Sequence, residues 1–184
     1  RRGPNGKKAG GNDENSAWAL PALRPIHIWS YDFVTVRTLD GAPVRVLNVV
    51  DEFTRVALGS RIARSIGARD VVTHLAMLFQ RHGKPAMIRS DNGREFIAET
   101  VQSWMRQQGG EPVFIAKASP QQNCYVERFN GSMRDELLNG ETFHSVTEVR
   151  VVVNGWIEHY NEVRPHRALA MRTPLAFAAA QDAS

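Results

Sequence analysis

Three carboxylates in this chain have types and spacing suited to one chemistry. Asp32 lies in the strand-like run Ile26-His27-Ile28-Trp29-Ser30-Tyr31-Asp32-Phe33-Val34. Asp91 ends the run Ala86-Met87-Ile88-Arg89-Ser90 and opens the turn Asp91-Asn92-Gly93. Glu127 follows after 35 intervening residues, on a segment with helical periodicity. Two carboxylates at strand positions and one on a later helix can converge on divalent metal ions, the arrangement that in-line phosphoryl transfer at DNA needs.

Each residue also has a plainer reading. Asp91 suits a turn, and Glu127 suits a solvated helix face. Asp32 resists such a reading. It shares a strand face with Ile28, Val34 and Val36, no turn signal surrounds it, and a carboxylate there is costly if buried without a partner.

The elements that must position these residues can be read along the chain. Residues 1–23, rich in Gly, Asn, Lys and Arg, read as a flexible basic linker or arm, 24–178 as one core, and 179–184 as a tail. Strands are predicted over Ile26–Val36, Val44–Val50 and Val56–Ile62. The pair Asp40-Gly41 and the run Asp51 to Arg55 supply the turns of an antiparallel meander. Val71, Leu75, Leu78 and Phe79 predict a helix stopped at Gly83-Lys84-Pro85. A strand over Ala86–Ser90, a helix over Phe96–Gln108 and a strand over Pro112–Ile115 alternate, which implies parallel pairing. A polar loop over Ala116–Gln122 precedes helices from about Asn123 to Leu138 and from about Val146 to Tyr160.

The first of these last two helices carries two stripes. Val126, Phe129, Met133 and Leu137 should face the core, while Asn123, Glu127, Asn130 and Arg134 should look across the sheet edge. Glu127 then reaches a metal and Arg134 a phosphate.

Bulk properties set the frame. The 184 residues suffice for one buried domain, and 42% apolar content is a globular value. A net charge of +4 suits a polyanionic partner without proving one. The single cysteine, Cys124, excludes an internal disulfide framework and fits a reducing cytosol. No apolar run approaches membrane-spanning length.

Five motifs now carry a resemblance: Trp29-Ser30-Tyr31-Asp32-Phe33; Val50-Asp51-Glu52-Phe53-Thr54-Arg55; Ser90-Asp91-Asn92-Gly93-Arg94-Glu95-Phe96; Asn123 through Gly131; and Tyr160 through Leu169. Their order and the 35-residue gap resemble the integrase-type DDE core of bacterial insertion-sequence transposases, a pattern shared with retroviral integrases. The resemblance implies an α/β, ribonuclease-H-like fold, a mixed five-stranded sheet flanked by helices. By position it implies Asp32, Asp91 and Glu127 as catalytic and metal-binding residues for two Mg²⁺ or Mn²⁺ ions. It implies Arg134 as a contact to transposon-end DNA, with Asn123, Arg128, Asn130, Arg164 and Arg167 as further candidate DNA contacts. Arg128 departs from the serine frequent in relatives.

The implied function is metal-dependent strand cleavage and strand transfer by a homo-oligomer on DNA, in the bacterial cytoplasm at the nucleoid. Two alternatives stay open: a non-catalytic DNA-binding remnant and a ribonuclease-H-like host nuclease. Among other residues, Glu95 reads as a helix-start residue sooner than a ligand, Asp51 and Arg55 as a turn with a stabilising pair, and His74, His82 and His144 as surface residues. His159 and His166 read as packing of the tail rather than a zinc site.

Overall fold

The computed structural model describes residues 21–91, 95–115 and 124–182, and for residues 91, 95–98, 111–115 and 182 the backbone alone. Residues 1–20, 92–94, 116–123 and 183–184, on which the expected linker, the Asp-Asn-Gly turn, the polar loop, Asn123 and the end of the expected tail fall, lie outside the described residues.

Aromatic and β-branched residues build the strands β1 (Ile28–Arg37), β2 (Pro43–Asp51) and β3 (Ala57–Ala63). They form the expected antiparallel meander, with Asp32 opposite Asn48 and Asn48 opposite Ser60. Gly41, at φ +78°, makes the β1–β2 turn, where the Asp40 carboxylate accepts from the Thr38 hydroxyl and the Ala42 amide. Helix α1 (Ala68–His82) ends at Gly83 and leads into β4 (Met87–Asp91), and α2 (Glu95–Gln107) leads into β5 (Glu111–Ile115). Both crossovers give parallel pairs, so the five-stranded sheet has the order β3-β2-β1-β4-β5.

Strict alternation divides the sheet into two buried faces. Trp29, Tyr31, Leu47 and Val49 pack with Val71, Leu75 and Leu78 of α1 and Val101 and Met105 of α2. Val34, Val36, Val44 and Val46 pack on the other side with α3 (Cys124–Met133) and α4 (Val146–Glu162). Val126, Phe129 and Met133 of α3 enter that core and Leu137 packs against it, so the predicted apolar stripe is the buried one. Phe129 is clasped by Trp156 and Tyr160 of α4, with ring centroids 5.3 and 4.8 Å away in edge-to-face geometry.

Two features differ from the sequence expectation. The helix read to Leu138 changes at Arg134 into a π turn, Arg134–Leu138, closed by the Asn139 amide on the Arg134 carbonyl at 2.8 Å. A further helix, α5 (Pro174–Asp182), crosses the boundary placed at 179, and its Phe177 ring lies 5.8 Å from Phe53. No helix among the described residues is long and apolar enough to cross a membrane.

Candidate active site

β1 and β4 run parallel, with Ile28 opposite Met87, Trp29 opposite Ile88 and Ser30 opposite Arg89. Counting two residues further along each strand brings Asp32 and Asp91 level on neighbouring strands. Asp91 is the last residue of β4 and pairs Ile115 of β5. Asp32 therefore lies midway along β1 and Asp91 at the carboxyl end of β4, on adjacent strands near the sheet's middle; the carboxyl ends of parallel strands are where α/β sheets commonly bind ligands.

Helix α3 reaches the same place through Asn130. The Asn130 amide donates to Asp32 Oδ2 at 2.9 Å, and its Oδ1 accepts from Asn48 Nδ2 at 2.7 Å. Asn48 Oδ1 in turn accepts from the Ser60 hydroxyl. A polar row thus crosses β1, β2 and β3 at one level, with Asn130 docked over it. Asn48 is fully buried and Asn130 is 1% exposed, so both amides depend on protein partners for their hydrogen bonds. This corrects the reading of Asn130 as a DNA contact: its side chain is enclosed and committed behind Asp32.

Glu127 lies in the first turn of α3, one turn before Asn130, and is exposed. The contact that fixes Asn130 on Asp32 thereby fixes the turn that carries Glu127. Asp32 is half-buried. The donor set Asp32, Asp91 and Glu127 is all oxygen, which fits hard Mg²⁺ or Mn²⁺. Among the described residues no three His, Cys, Asp or Glu side chains gather as a metal site, and the Asp91 side chain is outside that set.

A second polar group lies below Asp32 along β1. Glu52 is 1% exposed, accepts from the Ser30 hydroxyl and pairs with Arg89, whose Nη1 is 3.0 Å from Glu52 Oε2. Burial pushes the Glu52 carboxyl up from its ordinary pKa, against the opposing pull of Ser30 and Arg89. The pair ties the end of β2 to β4 two residues before Asp91. Sequence reasoning missed it, although an arginine inside the run Ala86 to Ser90 is itself a signal for a buried partner.

The basic candidates divide. Arg134 is exposed at the start of the π turn, on the Glu127 side of α3. Arg167 is exposed on a short 3₁₀ turn, Arg167–Leu169. Arg128 lies on a different flank of α3, where it lines a cleft with Arg55, Tyr125, Tyr160, Arg164 and His166. Arg164 is half-buried and its Nη1 meets Glu136 Oε1 at 2.5 Å. Burial pushes the Tyr160 hydroxyl up to about 12 and holds the His166 imidazole below its ordinary value.

Other expectations shift as well. His74 is 5% exposed, not a surface residue, because α1 presses it against Gly59 of β3. Asp51 and Arg55 do share a turn, but no ion pair forms it. The Asp51 carboxylate accepts from the amides of Ile26, Phe53 and Thr54 and from the Thr54 hydroxyl, while Arg55 lies over the Tyr125 ring.

Comparison with known proteins agrees with this architecture. Two family models, both described as integrase core domain, match residues 22–120 and 108–174. A protein of insertion element IS476 from Xanthomonas euvesicatoria is 37% identical over 87% of this chain and 46% of its own length. One of insertion element IS407 from Burkholderia multivorans is 36% identical over 94% of this chain and 62% of its own. This chain thus spans about half to two-thirds of those relatives. The integrase catalytic core domain of HTLV-2, solved in complex with magnesium, superposes with a TM-score of 0.63 at 16% identity, covering 85% of this chain and 99% of that one. That likeness shows the ribonuclease-H-like fold. With the family models accounting for residues 22 to 174 between them, the chain belongs to the integrase core domain family.

Proposed function

We propose that this chain is the catalytic core of a DDE-type transposase that cleaves and joins DNA strands with divalent metal ions. The observation that carries this reading is the Asn130–Asp32 hydrogen bond, which docks the α3 turn bearing Glu127 over β1, next to the strand that ends in Asp91. The names of its relatives, proteins of bacterial insertion elements, support it.

Asp32, Asp91 and Glu127 would hold two Mg²⁺ or Mn²⁺ ions, which would supply charge stabilisation for the attacking and leaving oxygens of an in-line displacement. The protein's own contribution is position. Asn130 fixes one carboxylate oxygen of Asp32, so the carboxylate enters the reaction already oriented. Arg134, exposed beside Glu127, meets a backbone phosphate of the bound end, and Arg167 offers a further contact. Water as nucleophile gives cleavage and a DNA 3′-hydroxyl gives transfer, so no serine or tyrosine nucleophile is required. The working form is a homo-oligomer on DNA, a reading supported by a chain of a simian T-cell lymphotropic virus intasome that superposes with a TM-score of 0.70 at 16% identity.

Nicking of supercoiled plasmid in Mn²⁺ tests the reading. Wild type converts the plasmid to open circles, and Asp91→Asn lowers the rate at least a hundredfold while DNA binding persists. Undiminished nicking by Asp91→Asn removes Asp91 from the site.

A further inference from the structure

The cleft on the other flank of α3 has a construction that the carboxylate centre does not explain. It encloses about 430 Å³. Tyr125, Arg128 and Ser132 line it from α3, Arg55 from the β2–β3 turn, and Arg164 and His166 from the segment after α4. These α3 positions lie round the helix from Glu127, Asn130 and Arg134. Asp135 also lines the cleft, and Glu136 is held by Arg164 and by Trp156 Nε1. Three guanidinium groups therefore line the space; Glu136 engages that of Arg164, which leaves Arg55 and Arg128 with Asp135 as the acidic residue of the lining.

Arg55 is the informative member. Its φ is +65°, in the left-handed region that a bulky side chain enters at a cost and that glycine or asparagine enters easily. The turn does not need arginine there. Asp51 already closes it, with its carboxylate on Phe53 and Thr54 and its carbonyl on the Arg55 amide at 2.9 Å. What arginine adds is a guanidinium laid over Tyr125, 3.8 Å from the ring centroid, at the mouth of the cleft. A strained backbone that aims one charged group into a concave site is a mark of function. The stacked face leaves the guanidinium edge, with its planar fork of N–H donors, suited to phosphate oxygens.

We propose that this cleft is a second anchoring site for a backbone phosphodiester of DNA, with Arg55 and Arg128 as its contacts and Tyr125 as the platform that orients Arg55. The proposal rests on the reading of the chain as a DNA-joining core. It adds a place where the strand is gripped away from the reacting phosphate, read by charge and not by base sequence.

Fluorescence anisotropy of the 184-residue chain with a labelled DNA duplex, in EDTA and across a salt series, tests it. Arg55→Gln and Arg128→Gln each reduce the slope of log affinity against log salt by about one, and the double variant by about two, equally on duplexes of unrelated sequence. Arg55→Gly separates grip from folding. Its melting temperature equals or exceeds wild type, since glycine accepts the positive φ, while its DNA affinity falls as in Arg55→Gln. Wild-type affinity and salt slope in the double variant overturn the proposal. So does an Arg55→Gly protein that melts lower yet binds DNA normally, which makes Arg55 a structural residue. Metal-dependent nicking does not enter this measurement, so either reading can fail alone.

Discussion

Asn130 hydrogen-bonds Asp32 across 98 residues of sequence, its amide 2.9 Å from Oδ2, and so locks the helix carrying Glu127 onto the strand carrying Asp32. The same side chain takes the Asn48 amide on its oxygen, so α3, β1 and β2 meet in one hydrogen-bonded row. Asn130→Ala removes the oxygen partner of the buried Asn48 amide and the amide that donates to Asp32 Oδ2. A loss of about 1–3 kcal/mol is expected in urea denaturation. Removal of an outer partner of a metal ligand should also weaken Mn²⁺ binding or nicking about 10–100-fold. Asn130→Asp, which sets a second carboxylate against Asp32, should cost more activity than Asn130→Ala.

The Glu52–Arg89 pair predicts strong non-additivity. Arg89→Met leaves a buried carboxylate with its charge uncompensated, and about 3–5 kcal/mol of destabilisation is expected. Joint replacement, Glu52→Leu with Arg89→Met, should recover much of it, because the unpaired charge is then gone. A double-mutant cycle by chemical denaturation measures the coupling. Additive losses would mean that the two groups act independently.

His74 predicts an acid-sensitive fold. Burial, with a smaller push from Arg61, holds its pKa below the ordinary 6.5, against a hydrogen bond at Gly59. The unfolded chain therefore binds more protons than the native state once pH falls below about 6.5. Stability is full above that value and declines as pH drops towards the folded pKa. His82 and His166 shift in the same direction for the same leading reason, burial. Urea midpoints at pH 7.5, 6.5 and 5.5 should fall in that order, and His74→Leu should flatten the decline in part. A decline of unchanged steepness in that variant would clear His74 of the effect.

Phe129 joins the site helix to α4, packed edge-on against Trp156 and Tyr160 and 2% exposed. Phe129→Ala should cost about 3–5 kcal/mol. Phe129→Leu should cost less, since much of the volume stays. Thermal melts of the two variants compare them.

Much of this organisation was legible in the sequence. Alternation in Ile26–Val36 placed Asp32 on the face of Val34 and Val36, which is the face that α3 and α4 cover. The spacing of Val126, Phe129 and Met133 identified the buried side of α3 correctly. What escaped were properties that only packing decides. Asn130 shares a helical stripe with Glu127 and Arg134, and nothing in that stripe says that one polar member is enclosed while two are exposed. Glu52 read as part of a turn, because its partner Arg89 stands on a strand 37 residues away. His74 reads as a surface residue by its polar type although Val71, Leu75 and Leu78 surround it on α1, and its burial depends on the close approach that Gly59 allows on β3. The helix Pro174–Asp182 is an alanine-rich run with too little polar contrast to announce a face.

The central claim is that Asp32 and Glu127 hold metal together, although they come from a strand and a helix far apart in sequence. Titration of Mn²⁺ into the chain bound to duplex DNA, followed by the loss of the free-ion electron paramagnetic resonance signal, measures it directly. Wild type should take up two ions, and Asp32→Asn and Glu127→Gln should each weaken uptake at least tenfold. Uptake undisturbed by both substitutions would contradict the account and separate these carboxylates from any metal site.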